Sequence, residues 1–125
     1  MRAHKYLSQL NRLEALVNNK MKEKDQVTRL RLKVGDEHGR SRKRLRKLEK
    51  EIDRTIDRLV DLKMDAMAML EKLPTDEYMV LHQYYVQGRT MEVIAADQCI
   101  SIRTAYNTKA RGLKQVQTML DNRKT

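Results

Sequence analysis

The sequence predicts an all-α protein: a long N-terminal helical hairpin or coiled coil, followed by a C-terminal module of short helices. Four glycines and one proline in 125 residues are too few for a loop-rich β-sandwich. Long runs of Leu, Lys, Arg and Glu favour helix. Apolar residues recur at alternating steps of three and four through residues 45–73, the period of a helical seam.

The first segment spans residues 4–33. Tyr6, Leu10, Leu13, Val17, Val27, Leu30 and Val34 mark a heptad seam that Lys20 and Lys24 interrupt. Residues 35–39 hold two glycines and an Asp, which is turn chemistry. The second segment, 41–73, has the more regular seam: Leu45, Leu48, Ile52, Thr55, Leu59, Leu62, Ala66, Met69 and Leu73. At 1.5 Å per residue it is a rod of roughly 50 Å. Glu49, Asp53 and Asp57 interleave with Lys50, Arg54 and Arg58 in the manner of a solvated outer face. One apolar stripe on so long a helix must fold back on the first helix or pair with another chain. A homodimer is therefore one expected partner.

Leu73 and Pro74 end the rod, because proline disfavours helix at the residue before it. This divides the chain into 1–72, an oligomerisation or partner arm, and 73–125, a separate small unit. Asp76 and Glu77 suit the start of the next helix, with Val80, Leu81, Tyr84 and Tyr85 as its buried face and Gly88 as its stop. Thr90 caps a short helix that buries Val93, Ile94 and Ala95. Cys99 and Ile100 make a tight turn, and Ser101 caps a third helix reaching about residue 120. Two helices joined by a short turn, the second one basic, is a helix-turn-helix.

Charge and composition narrow the function. Lys and Arg number 27 against 17 Asp and Glu, and residues 1–50 alone hold 16 of the cations and six of the acids. Residues 101–125 carry Arg103, Lys109, Arg111, Lys114, Arg123 and Lys124 against Asp121. Such a balance favours a polyanion, since neutralised phosphates release counterions. Phe and Trp are absent, which argues against a deep apolar ligand pocket and hence a small-molecule substrate. One Cys and three scattered His provide neither a disulfide framework nor a Cys/His zinc site, and no cofactor is expected. The longest apolar run, 66–70, falls far short of a membrane span, and the N-terminus lacks a secretory apolar stretch. A soluble, cytoplasmic protein with no membrane partner is expected. No phosphate loop, nucleophile triad or paired carboxylates suggest an enzyme. Asp53, Asp57, Asp61 and Asp65 recur every fourth residue, but the interleaved cations make a solvated face the better reading than a metal stripe.

On the third helix, at 100° per residue from Arg103, a polar arc collects Thr104, Asn107, Arg111, Lys114 and Thr118. Ile102, Ala105, Gly112, Leu113, Val116 and Leu120 fall on the opposite side. The polar arc has no acidic residue, and long cations with Asn and Thr are the side chains that read base edges in the major groove. Arg103, Thr104, Asn107 and Arg111 are the expected base contacts. Ser101, Lys109 and Lys114 are expected mainly at phosphates, and Thr108 completes the DNA-binding set. The basic run of Arg40, Arg42, Lys43, Arg44, Arg46 and Lys47 is expected to add backbone contacts.

Leu73, Pro74, Glu77, Val80, Leu81, Tyr85, Gly88, Thr90, Glu92, Ile94, Ala95, Ile100, Ser101, Thr104 and Leu113 stand at the spacing of region 4 of bacterial sigma factors, which residues 73–120 resemble. A charged helical arm before one such module is similar in plan to phage-encoded late-gene transcription regulators of the ArpU/RinA type. The resemblance implies binding of double-stranded DNA through the third helix, in a bacterial host cell. It also implies late-gene activation with host RNA polymerase as a further partner. Gln98 stands where the module usually has Leu and Cys99 where it usually has Gly, so the turn is expected to be strained or reshaped. The absence of Phe and Trp for holding unstacked bases argues against a complete sigma factor. A small terminase-like packaging subunit or an assembly protein is the alternative, although those usually place the DNA-binding module first.

Overall fold

Every regular element among the described residues is helical. The structure is a computed structural model that describes residues 2–123, leaving out the side chain of Asp36. Lys124, counted above in the basic C-terminal stretch, lies outside them. The order is α1 (Arg2–Ser8), α2 (Leu10–Lys33), a 3₁₀ turn (Asp36–His38), α3 (Gly39–Glu71), α4 (Thr75–Leu81) running into a π-turn (His82–Val86), α5 (Met91–Asp97) and α6 (Ile102–Asn122).

The expected first helix is two. Gln9 is a turn between α1 and α2, and the Ser8 hydroxyl donates to the His4 carbonyl at 2.6 Å. A side-chain bond of that kind competes with the backbone ladder and bends helices. Tertiary contacts hold α1 in its own direction. Arg2 pairs with Asp121, and the Gln117 amide oxygen accepts from the Ala3 N–H at 2.9 Å, serving a first-turn donor that has no partner inside the helix. The glycines of the α2–α3 connection do not supply left-handed backbone: Gly35 is extended (φ −75°, ψ 172°) and Gly39 already helical.

The chain forms two compact units, residues 13–62 and residues 1–12 with 63–125. The expected boundary at 72/73 therefore moves into α3, and the N-terminal helix joins the C-terminal elements. The cause is apolar burial: Ala66, Met69 and Leu70 at the end of α3 and Ala3 and Leu7 on α1 are all at most 2% exposed.

In the unit of residues 1–12 and 63–125, α1, α4 and α5 all pack on α6. Val80, Met91, Ile94, Ala95 and Ala105 form one cluster, with Tyr84 and Ile100 against it. Gly112 permits the close approach of α4 to α6, because a Cβ there would meet Leu81 Cδ1 at 2.8 Å and Leu81 Cγ at 3.2 Å. Burying a side chain such as Ile94 or Leu81 contributes about 1.5–3 kcal/mol. Two polar side chains are buried as well. Glu77 is buried and accepts from Gln115 Nε2 at 2.6 Å, and buried Gln83 accepts from Arg89 Nη1 at 3.0 Å. Val93 and Ile102, expected inside, are about half exposed.

In the unit of residues 13–62, Lys24 pairs with Asp53 at 2.6 Å and Arg31 pairs with Glu49. Rising numbers on α2 meet falling numbers on α3, so the two segments run in opposite directions. Glu49 and Asp53 thus serve contacts between helices, a correction to the solvated face expected of them. Little apolar surface is covered, and Leu13 and Ile52 are its buried large side chains among the described residues.

Candidate nucleic-acid interface

Local chemistry sets where α6 begins. The Thr90 hydroxyl accepts from Val93 N–H at 3.3 Å and starts α5. The helix ends as Cys99 N–H donates to Ala96 O (3.2 Å) and Ile100 N–H to Ala95 O (3.0 Å). These two bonds, with Cys99 at φ 57°, make a Schellman turn in which glycine is the usual residue. The strain expected of Cys99 is present as a left-handed backbone on a residue with a Cβ, a conformation that costs about 1–2 kcal/mol. Ile100 completes the turn by packing on the cluster that contains Ala95. Ser101 then caps α6, accepting from Thr104 N–H at 3.0 Å and donating to Thr104 Oγ1 at 2.8 Å.

The exposed edge of α6 brings together Arg103, Thr104, Asn107, Arg111 and Lys114. Exposed Tyr106 and Ala110 share it, and neither belonged to the expected set. The signal was present in the helical wheel, where Tyr106 lies roughly 60° from Arg103. Both are apolar contact surface among donors.

Three expected site residues stand otherwise than expected, and Ser101 makes the cap expected of it. Thr108 is 3% exposed and so removed from any contacting face. Its Oγ1 lies 3.3 Å from Arg111 Nη2 and serves as an anchor. Lys109 Nζ lies 4.1 Å above the centre of the Tyr84 ring and 5.9 Å from that of Tyr85, a cation–π arrangement in place of a free amine at a phosphate. Arg111 Nη2 is 3.1 Å from Asp76 Oδ2, so a carboxylate from α4 enters a face that is acid-free along its own helix. Ser101 is exposed, but its hydroxyl is used in the cap.

Away from α6, an ion-pair cluster ties the same unit together. Arg123 grips Asp65 with two bonds of 2.6 Å, and the Tyr6 hydroxyl donates to Asp65 Oδ2 at 2.6 Å. The Arg123 guanidinium, then the Tyr6 hydroxyl, hold the Asp65 carboxyl below the usual carboxylate range. Burial, then the Asp65 bond, push the Tyr6 phenol up to about 12. Asp65 therefore belongs to a structural cluster and not to a solvated stripe. Burial likewise pushes the Tyr85 phenol up to about 12, and its oxygen sits 2.7 Å from His4 Nδ1. His4 is thus bonded within the unit.

A groove of about 450 Å³ is lined by polar His4, Ser8, Asn11, Arg89 and Thr90 together with Tyr84. Among the described residues no three His, Cys, Asp or Glu side chains converge as a metal site would need, and no helix is long and apolar enough to cross a membrane.

The basic run belongs to the other unit. Arg40, Lys43, Arg44, Arg46 and Lys47 are exposed and Arg42 is half-buried. Gly39, Arg42, Lys43 and Arg46 line a shallow notch of about 230 Å³.

Comparison with family models, with curated proteins and with solved structures finds no match to this chain.

Proposed function

We propose that this chain is a sequence-specific double-stranded-DNA-binding regulator of transcription, with α5, the Cys99 turn and α6 acting as a helix-turn-helix. The observation that carries the reading is the exposed edge of α6. It offers Arg103, Thr104, Asn107 and Lys114, donors and acceptors suited to base edges and phosphates, beside apolar Tyr106 and Ala110. The capped start and the bonded turn hold that edge in one orientation, as specific readout requires. Arg103 and Asn107 read bases, Thr104 supports them, and Lys114 contacts phosphate. Arg111, engaged by Asp76 and Thr108, adds charge at the margin. The helical arm pairs as a hairpin, and its basic run supplies sequence-independent contacts. The resemblance of residues 73–120 to sigma region 4 supports action beside a host RNA polymerase, as in phage late-gene activation.

In vitro selection of duplexes with the full chain, followed by binding measurements on Arg103→Ala and Asn107→Ala, tests this. Each substitution should weaken the selected site by roughly 1–3 kcal/mol. Binding to random duplex should change little. Failure to enrich any sequence, or unchanged binding by both variants, contradicts the assignment.

A further inference from the structure

Reading bases through α6 makes no use of the groove lined by His4, Asn11, Tyr84 and Thr90. All of its lining residues belong to the unit of residues 1–12 and 63–125, and none of them is acidic. None is aliphatic either, so an apolar ligand gains little there. Its volume of about 450 Å³ lies in the range that small ligands and ligand groups occupy.

The hydrogen bonds around His4 decide what the groove presents. Ser8 gives its hydroxyl hydrogen to the His4 carbonyl at 2.6 Å, so toward the imidazole its oxygen can only accept. That oxygen stands 3.5 Å from His4 Nε2, which therefore carries the ring hydrogen, and the Tyr85 hydroxyl donates to Nδ1 at 2.7 Å. A separation of 3.5 Å is the outer limit of a hydrogen bond and leaves the Nε2–H for a closer acceptor. The Asn11 side-chain amide has no partner among the described residues. Thr90 Oγ1 accepts from the Val93 N–H at 3.3 Å and keeps its own hydrogen to give. Lys109 Nζ lies 4.1 Å from the centre of the Tyr84 ring, and no carboxylate pairs with it among the described residues. Donors from three separate stretches of chain thus border one groove, with an uncompensated cation beside it.

We infer that this groove binds a phosphate group, held by His4 Nε2, the Asn11 amide and the Thr90 hydroxyl. A phosphoryl group spreads its oxygens tetrahedrally, which suits donors arriving from different sides, and the Lys109 charge favours an anion over a neutral ligand. A carboxylate is flat and is best held by the fork of a guanidinium. The guanidinium at the groove, Arg89, instead spends Nη1 on Gln83 Oε1 at 3.0 Å and stands 4.0 Å from Asp97. A phosphodiester of a DNA backbone and a free phosphomonoester offer the same chemistry to these donors. The inference does not rest on base reading by α6.

Titration of the full chain with methyl phosphate, followed by the NMR signals of the His4 imidazole and the Asn11 side-chain amide, tests this. Both signals should move saturably at millimolar concentration, and acetate at equal ionic strength should leave them in place. Asn11→Ala should weaken methyl phosphate about tenfold, and Asn11→Asp, which sets a like charge against the ligand, should abolish binding. Asn11 is exposed, so neither change disturbs packing. Affinity for a random-sequence duplex separates the two sources. A loss in Asn11→Asp identifies the DNA backbone, and unchanged duplex binding beside lost methyl phosphate binding identifies a free phosphomonoester. Unmoved His4 and Asn11 signals, an equal response to acetate, or undiminished methyl phosphate binding by Asn11→Asp would each overturn the inference. Methyl phosphate carries no base, so none of those results bears on the assignment of α6.

Discussion

Residues 13–62 and the unit built from residues 1–12 and 63–125 are both helical and both basic, yet they cover apolar surface very differently. In the latter, sixteen apolar side chains are buried among the described residues; in the former, Leu13 and Ile52 are. The seam that reads most regularly in the sequence, 45–73, spans both. Its Ala66, Met69 and Leu73 end is buried, while Leu45, Leu59 and Leu62 are only half-buried and Leu48 is exposed. A repeat of apolar positions thus specifies a face that seeks cover, and whether it finds cover depends on what stands opposite. Opposite the buried end are Leu-, Val- and Ala-bearing helices. Along α2 the opposing seam contains lysines.

The largest test of that contrast is a pair of truncations. Ile94→Ala should cost about 2–5 kcal/mol in denaturant unfolding, because Ile94 is fully buried in the Val80–Ala105 cluster. Leu48→Ala, at a 38% exposed site, should cost well under about 1 kcal/mol in monomeric protein. Equal losses would mean that the two units are packed alike.

An effect of intermediate size should appear at high pH. The folded phenols of Tyr6 and Tyr85 are raised to about 12 from an ordinary 10.0. Their contribution is therefore complete below pH 10 and is lost as pH rises toward 12. Melting temperature should fall across that window, and Tyr85→Phe should flatten the fall. An identical alkaline slope in the variant would remove Tyr85 from the cause.

The smallest effect concerns the turn before α6. Cys99→Gly relieves a left-handed backbone on a residue with a Cβ, against the greater freedom of glycine in the unfolded chain. A net gain of about 0.5–1 kcal/mol in urea unfolding is expected. A loss would show that the Cys99 side chain contributes packing that outweighs the strain.

The parts legible in the sequence are those written in local chemistry. Thr90 and Ser101 as caps, Pro74 and Gly88 as punctuation and Cys99 as the turn residue each act through backbone groups a few positions away. The polar edge of α6 was legible for the same reason, since helical periodicity needs only the helix itself. What escaped was set by distant partners. The break at Gln9 follows from contacts of α1 with α6, more than a hundred residues away. Asp76 beside Arg111, Lys109 over Tyr84 and the burial of Glu77 all join elements whose separation in sequence carries no periodic signal. Thr108 could not be told from an exposed threonine, because it stands near the edge of the arc where packing decides.

Backbone amide chemical-shift mapping of the full chain with a selected DNA duplex tests the central proposal most directly. If α6 reads DNA, the largest shifts should fall on residues 101–111 around Arg103, Thr104, Tyr106 and Asn107, with smaller ones at Lys114. Shifts confined to residues 40–47, or to the groove lined by His4, Asn11 and Arg89, with α6 unmoved, would contradict it.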